Sequence, residues 1–169
     1  LACVQELLAA GASTNAARLD GATPAYIASQ EQHLDCLSAL LQAGASADAV
    51  VMGKQTALIV AAFKGDAKSV EMLLRQAWKL DIDATPGGNA TALGHASHRG
   101  HTACASLLLK AGANVEAADK AGWTPLHRAA MTSREACVLL LAKAGLMKMS
   151  LVFRFQILLN AKSKKSLAT

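Results

Sequence analysis

The chain has 169 residues, 53% of them hydrophobic and 17% charged, which is too apolar for an intrinsically disordered chain and suits one compact domain or a short array of repeats. No window approaches the roughly 18 uninterrupted apolar residues that argue for a membrane span. The formal charge of +5 is uneven: residues 1–145 hold twelve basic and twelve acidic residues, whereas Lys148, Arg154, Lys162, Lys164 and Lys165 carry the excess with no acid among them.

Taken in chain order, residues 1–8 include Glu6 and no basic region, so they do not read as a signal or transit peptide. Leu1 stands where an initiator Met would, which reads as a fragment or a processed product. Four related segments follow: Thr23-Pro24-Ala25, Thr56-Ala57-Leu58, Thr91-Ala92-Leu93 and Thr124-Pro125-Leu126-His127, spaced 33, 35 and 33 residues apart. Each leads into a small-residue pair, Ala28-Ser29, Ala61-Ala62, Ala96-Ser97 or Ala129-Ala130, and then into a second apolar segment. The spacing predicts four helix pairs beginning near Asp20, Gly53, Gly88 and Ala121, after a partial unit that contains Leu7, Leu8 and Gly11. Thr is a natural helix N-cap, and Pro24 and Pro125 suit the first helical position. Gly44, Gly112 and Gly145 are expected as left-handed helix stops.

The third junction departs from the pattern. Ala77-Trp78 replaces Gly-Ala, with Trp78 expected to cover its helix end, and two extra residues precede Asp81. Thr85 to Asn89 reads as a turn, with Asn89 expected in the left-handed region; Lys54, its equivalent one repeat earlier, suits that region less. Beyond Gly145 the pattern stops. The run Leu151 to Leu159 is expected to pack on the last repeat as a capping helix, followed by disorder, although a strand-like segment also fits its composition.

Thr124-Pro125-Leu126-His127-Arg128-Ala129-Ala130 and the link Gly112-Ala113-Asn114-Val115-Glu116 resemble the ankyrin repeat. The resemblance extends over nearly all of residues 3–145 and implies an all-α fold: an ankyrin-repeat solenoid of stacked antiparallel helix pairs over residues 1–145, with a divergent basic tail at 146–169. It implies noncovalent protein binding or a scaffold role through the concave surface. The alternatives are a passive structural segment of a larger ankyrin protein and nucleic-acid association through the basic tail. The body lacks a basic stripe interleaved with aromatics, which disfavours nucleic acid as its partner.

The family's surface layout places Ile27, Gln30, Glu31, Val60, Phe63, Lys64, His95, His98, Arg99, Arg128, Met131 and Thr132 on the inner face, with Ala22, Gln55, Ala90 and Trp123 on the projecting turns. From these the protein-contact candidates are Phe63, Lys64, His95, His98, Arg99, Trp123, Arg128 and Met131, and the expected partner is a protein with apolar anchors and an acidic flank. Asn15, in the link Gly-Ala-Ser-Thr-Asn, matches a position that is hydroxylated in some ankyrin proteins.

Cys3, Cys36, Cys104 and Cys137 occupy one register position, with Ser69 in the remaining repeat. Helix packing of roughly 10 Å is wide for a disulfide, so four reduced thiols in an apolar seam are expected. This suits a cytoplasmic or nuclear location, favouring the cytoplasm. His95, His98 and His101 have no Cys or carboxylate completing a metal set. His33 and His101 are expected to make local hydrogen bonds, and His127 to bond within or between repeats. No nucleophile elbow, phosphate loop, dinucleotide fingerprint or zinc-protease motif is present. The reading is a non-enzyme with no cofactor.

Overall fold

The computed structural model describes residues 1–53, 55–76 and 80–148. The described residues form nine α-helices, one 3-10 turn at Pro86–Gly88 and no strand beyond an isolated Val51–Gln55 bridge. The helices are α1 (Ala2–Ala9), α2 (Pro24–Gln30), α3 (Leu34–Gln42), α4 (Ala57–Lys64), α5 (Ala67–Gln76), α6 (Ala92–Arg99), α7 (Thr102–Lys110), α8 (Pro125–Met131) and α9 (Glu135–Lys148). Helices α2, α4, α6 and α8 stack in one row; α3, α5, α7 and α9 stack in a second, with α1 against α3 at its end. The result is an all-α solenoid of helix pairs.

Local chemistry starts each first-row helix at the predicted Thr. The hydroxyls of Thr23, Thr56, Thr91 and Thr124 accept the backbone N–H groups of Tyr26, Ile59, Gly94 and His127. At α8 the His127 ring answers the Thr124 backbone and completes a capping box. Thr23, Thr56 and Thr91 are buried, so each cap satisfies a donor where water cannot. Thr91→Ala is therefore expected to cost about 1–2 kcal/mol, read by urea denaturation. Thr91→Ser, which keeps the accepting oxygen, is expected to retain most of the stability; equal stability of the two variants would show that the cap contributes nothing.

Between the rows lies one continuous core. Leu37, Leu58, Ile59, Leu73, Leu93, Leu108 and Leu141 are its largest fully buried aliphatic side chains, with Ala28, Ala61, Ala62, Ala96 and Ala129 allowing close helix approach. Each buried Leu or Ile contributes about 1.5–3 kcal/mol of apolar burial. A small second cluster of Ala22, Tyr26, Val51 and Val60 sits beside it, where the Tyr26 hydroxyl donates to Gln55 Oε1 at 2.6 Å.

Several expectations are corrected. Gly44 and Gly112 are left-handed (φ 85° and 96°), but Gly145 lies inside α9, because Leu146 to Lys148 supply no turn signal and continue the helix. Asn89 is extended (φ −80°), since Gly87 and Gly88 already make the left-handed turn. In the loop before α4, Met52 and Gly53 have positive φ. Ala22, Val60 and Ala90 are buried rather than offered at the surface; Ala22 and Val60 pack together with Tyr26 and Val51 across two repeats.

The thiol seam is also only partly present. Cys104 and Cys137 are buried, Cys36 is half-buried and Cys3 is exposed, because α1 packs chiefly on α3 and leaves its other faces open; all four are free. Burial pushes the Cys104 thiol up to about 11 and raises that of Cys137. Both therefore stay protonated and poorly nucleophilic at neutral pH. The expectations for Lys54, Trp78 and Leu151 to Leu159 lie outside the described residues.

Candidate functional site

The site begins where α4 ends. Phe63 and Lys64 are its last two residues, and Gly65 turns the chain in a left-handed conformation (φ 80°). The His101 ring, at the start of α7, reaches across one repeat so that Nε2 lies 3.2 Å from the Phe63 carbonyl oxygen. This contact gives an otherwise unpaired helix-end carbonyl a partner and fixes the end of α4. The bond expected of His101 is thus between repeats.

His95 and Arg99 are four residues apart on α6, so they share one face of that helix. Both meet the Phe63 ring: His95 edge-on, with centroids 5.8 Å apart, and Arg99 with its guanidinium carbon 4.0 Å from the ring centroid. Phe63 is half-buried and Arg99 exposed. The cation–ring contact contributes about 0.5–1 kcal/mol and holds Arg99 in one posture. Among the described residues Arg99 has no ion-pair partner.

Helix α8 adds the next layer. A Cβ on Gly94 would stand 3.4 Å from Arg128 Cδ, so the missing side chain makes room for the Arg128 stem against α6. The Arg128 guanidinium forms an ion pair with Asp119, whose side chain is only 5% exposed. The Trp123 N–H, together with Arg128 and the Ala121 N–H, holds the Asp119 carboxyl below the usual carboxylate range, against the opposing effect of burial. Arg128 Nε and His98 Nδ1 are buried without hydrogen-bond partners among the described residues. Thr132 donates from its hydroxyl to the His98 carbonyl at 2.8 Å and ties α8 to the end of α6.

The structure thus brings Phe63, His95, His98, Arg99 and Arg128 into one surface. Lys64, beside Phe63, is exposed; Met131, one turn beyond Arg128, is 55% exposed. Trp123 is 40% exposed, but its ring lies edge-on to His127 at 6.2 Å, so it joins the patch through its backbone bond to Asp119. Asn15 is exposed at the other end of the stack, where its Oδ1 accepts the Ser46 N–H at 2.7 Å.

Two participants escaped the sequence reading. Asp119 was legible as the start of an Asp-Lys-Ala-Gly turn, the same device by which Asp20 accepts the Ala22 N–H. Arg134 lies near His98, and its stem occupies the space beside Gly100; the sequence carried no signal for that cross-repeat approach.

Burial and the charges of Arg128, His98 and Arg99 lower the His95 pKa to about 4; burial, Arg128, Arg99 and Arg134 lower that of His98. His95 is therefore neutral at physiological pH. Its folded-state value lies below its ordinary value of 6.5, so the unfolded chain binds more protons between the two and acid destabilises the fold. Acidifying from about pH 7.5 to about pH 5 is expected to remove about 2 kcal/mol through this group. Chemical denaturation of the parent and His95→Gln at both pH values measures it; the variant should lack that part of the loss, and equal losses would exclude His95 as the source.

The model of ankyrin repeats in three copies matches residues 1–86 and 79–150. The chain belongs to the ankyrin-repeat family. It is 38% identical over 134 residues to ankyrin repeat and SOCS box protein 16 of Mus musculus, covering 75% of this chain and 30% of that protein. It is 45% identical over 74 residues to cortactin-binding protein 2 of Rattus norvegicus, covering 44% of this chain and 4% of the relative. A 64-residue match to protein phosphatase 1 regulatory subunit 27 of Mus musculus is 38% identical and covers 38% and 41% of the two chains. This ankyrin-repeat chain therefore spans less than half the length of each of these relatives. Ankyrin repeats generally mediate protein–protein interaction, and one of these relatives is named as a regulatory subunit. Among the described residues of the ankyrin stack, no helix is long and apolar enough to cross a membrane.

Proposed function

We propose that this ankyrin stack is a non-catalytic protein-binding module, and that its recognition face is the surface around Phe63, His95, His98, Arg99 and Arg128. The observation that carries the reading is Arg99, exposed, held over Phe63 and without an acid of its own among the described residues. An Arg already fixed by a ring loses less freedom on binding than a mobile one. A partner carboxylate would pair with it, while an apolar side chain covers the open part of Phe63 and reaches toward Met131. The neighbouring Arg128 is already answered by Asp119, whereas Arg99 and Lys64, with Arg134 close by, can meet the partner's acidic flank. The proposed setting is the cytoplasm, a reading supported by four free thiols.

The test starts from affinity purification with the full chain, followed by direct binding of the recovered partner. Phe63→Ala is expected to weaken binding roughly tenfold, and Arg99→Glu at least as much for an acidic partner. Trp123→Ala should have a smaller effect, because its ring is turned toward His127. Each thermal transition is measured beside the affinity. Unchanged affinity in well-folded Phe63 and Arg99 variants would remove this face from consideration; loss confined to variants of the basic tail would favour nucleic acid or another tail ligand.

A further inference from the structure

One register position changes its task along the stack. His101 and Arg134 each stand ten residues after the capping Thr of their repeat, Thr91 and Thr124. Each side chain reaches back onto the glycine turn of the preceding repeat: a Cβ on Gly65 would stand 2.6 Å from His101 Nδ1, and one on Gly100 would stand 2.7 Å from Arg134 Cδ. At Gly65 the contact is structural, because His101 Nε2 meets the Phe63 carbonyl near the end of α4. The equivalent carbonyl of α6 belongs to His98, and the Thr132 hydroxyl already donates to it at 2.8 Å. Arg134 therefore holds the position of His101 without its work, and its guanidinium is left to bind something else.

Arg134 is exposed and has no ion-pair partner among the described residues. The same holds for Arg99, which directly precedes the Gly100 turn that the Arg134 stem covers. Asp119 is committed to Arg128, and Glu135, the acid next to Arg134 in the chain, makes no ion pair with it. The charges of Arg99, Arg128 and Arg134 all act on His98, so they surround one small area of the α6 end. His98 Nδ1 is buried there without a hydrogen-bond partner among the described residues. The area thus gathers positive charge that no acid of the described residues offsets beyond Asp119.

We propose that the acidic group taken by this face is a phosphorylated serine or threonine of the partner, clamped between Arg99 and Arg134, an inference that rests on the Phe63–Arg99 surface being the recognition face. A carboxylate carries one charge and is satisfied by a single guanidinium fork. Two forks at one turn suit a group with about two negative charges and three acceptor oxygens, which a phosphate monoester supplies. The apolar area continuing from the site, the Phe63 ring and the 55% exposed Met131, favours a polypeptide source. A nucleic-acid backbone or a lipid headgroup presents its phosphate without an apolar side chain beside it.

Degenerate nonapeptide libraries with phosphoserine, glutamate or serine fixed at the centre test this against the full chain. The phosphoserine library is expected to bind at least about tenfold more tightly than the glutamate library. Arg134→Gln should remove most of that preference while weakening the glutamate library much less. Arg134→Lys, which keeps the charge and loses the fork, should retain part of the preference. Thermal transitions close to that of the parent are expected for both, since Arg134 makes no hydrogen bond that the fold needs; Arg99→Gln provides a second, independent loss of the clamp. Equal binding of the phosphoserine and glutamate libraries, both lost in Phe63→Ala, would overturn the phosphate and leave the face standing. A phosphoserine preference that survives Arg134→Gln would overturn the clamp. Binding of every library unaffected by Phe63→Ala and Arg99→Glu would overturn the face and the clamp together. Tighter binding to a single-stranded oligonucleotide, or to phosphatidylcholine vesicles containing a phosphoinositide, than to the phosphoserine library would also overturn the proposal.

Discussion

Leu93→Ala is expected to destabilise the stack by about 3–4 kcal/mol. Leu93 is fully buried on α6 within the continuous core. Removing three of its carbons loses their transfer free energy and leaves a void, since the neighbouring Ala96 and Ala129 have no side chain long enough to fill it. Its position strengthens the effect: α6 packs against both α4 and α8, so the damage falls on two interfaces. Urea denaturation followed by helical circular dichroism measures the loss. Leu8→Ala, at a half-buried position of the mostly exposed end helix α1, should cost far less. Equal costs at Leu93 and Leu8 would show that the stack does not share one core.

The second large effect is expected at Gly65. A Cβ there would stand 2.6 Å from Nδ1 and 2.7 Å from Cε1 of His101, and the backbone is left-handed besides (φ 80°). Gly65→Ala therefore carries about 1–2 kcal/mol of backbone penalty and displaces the ring that meets the Phe63 carbonyl. With that hydrogen bond lost, the total is expected near 3 kcal/mol. His101→Ala removes the obstruction, so in the double variant Gly65→Ala should cost only its backbone part. A double-mutant cycle measures the coupling, and strict additivity would place the Gly65 penalty elsewhere. The loss also bears on recognition, because the His101 contact fixes the Phe63 backbone, and the Phe63 ring in turn holds Arg99.

The helix pairs were legible because their starts depend on local chemistry. A Thr four times in register, with Pro or Ala next, specifies a cap that folds the same way wherever it occurs. The ends were less legible. Gly145 looked like Gly44 and Gly112, yet the residues after it decide whether a helix stops, and Leu-Met-Lys continues one. Asn89 shows the same limit: which of three adjacent residues takes the left-handed conformation depends on how the turn closes.

The candidate site was legible as a set of side-chain types and not as a geometry. Phe63, His95 and Arg99 were each found, but their shared ring contact crosses between repeats. Trp123 illustrates the converse. It was exposed as expected, yet its ring turned to His127, a partner four residues along whose own orientation is fixed by the Thr124 cap. The Asp119 turn is legible but its ion pair is not, because an acid in a turn reads as ordinary solvation until the partly buried Arg128 guanidinium stands beside it.

The uneven spacing of the repeats has a practical consequence. Thr56 and Thr91 lie 35 residues apart where the other intervals are 33, yet α4 and α6 stack as α2 and α4 do. The additional length falls between the start of α5 and the start of α6, a stretch that closes with the Pro86–Gly88 turn. Because lengthening such a loop costs only a fraction of a kcal/mol, this junction is the natural place to graft an epitope, a fluorophore site or a protease cleavage sequence. Whole units exchanged by recombination would likewise tolerate unequal crossover here, where a helix interior would not.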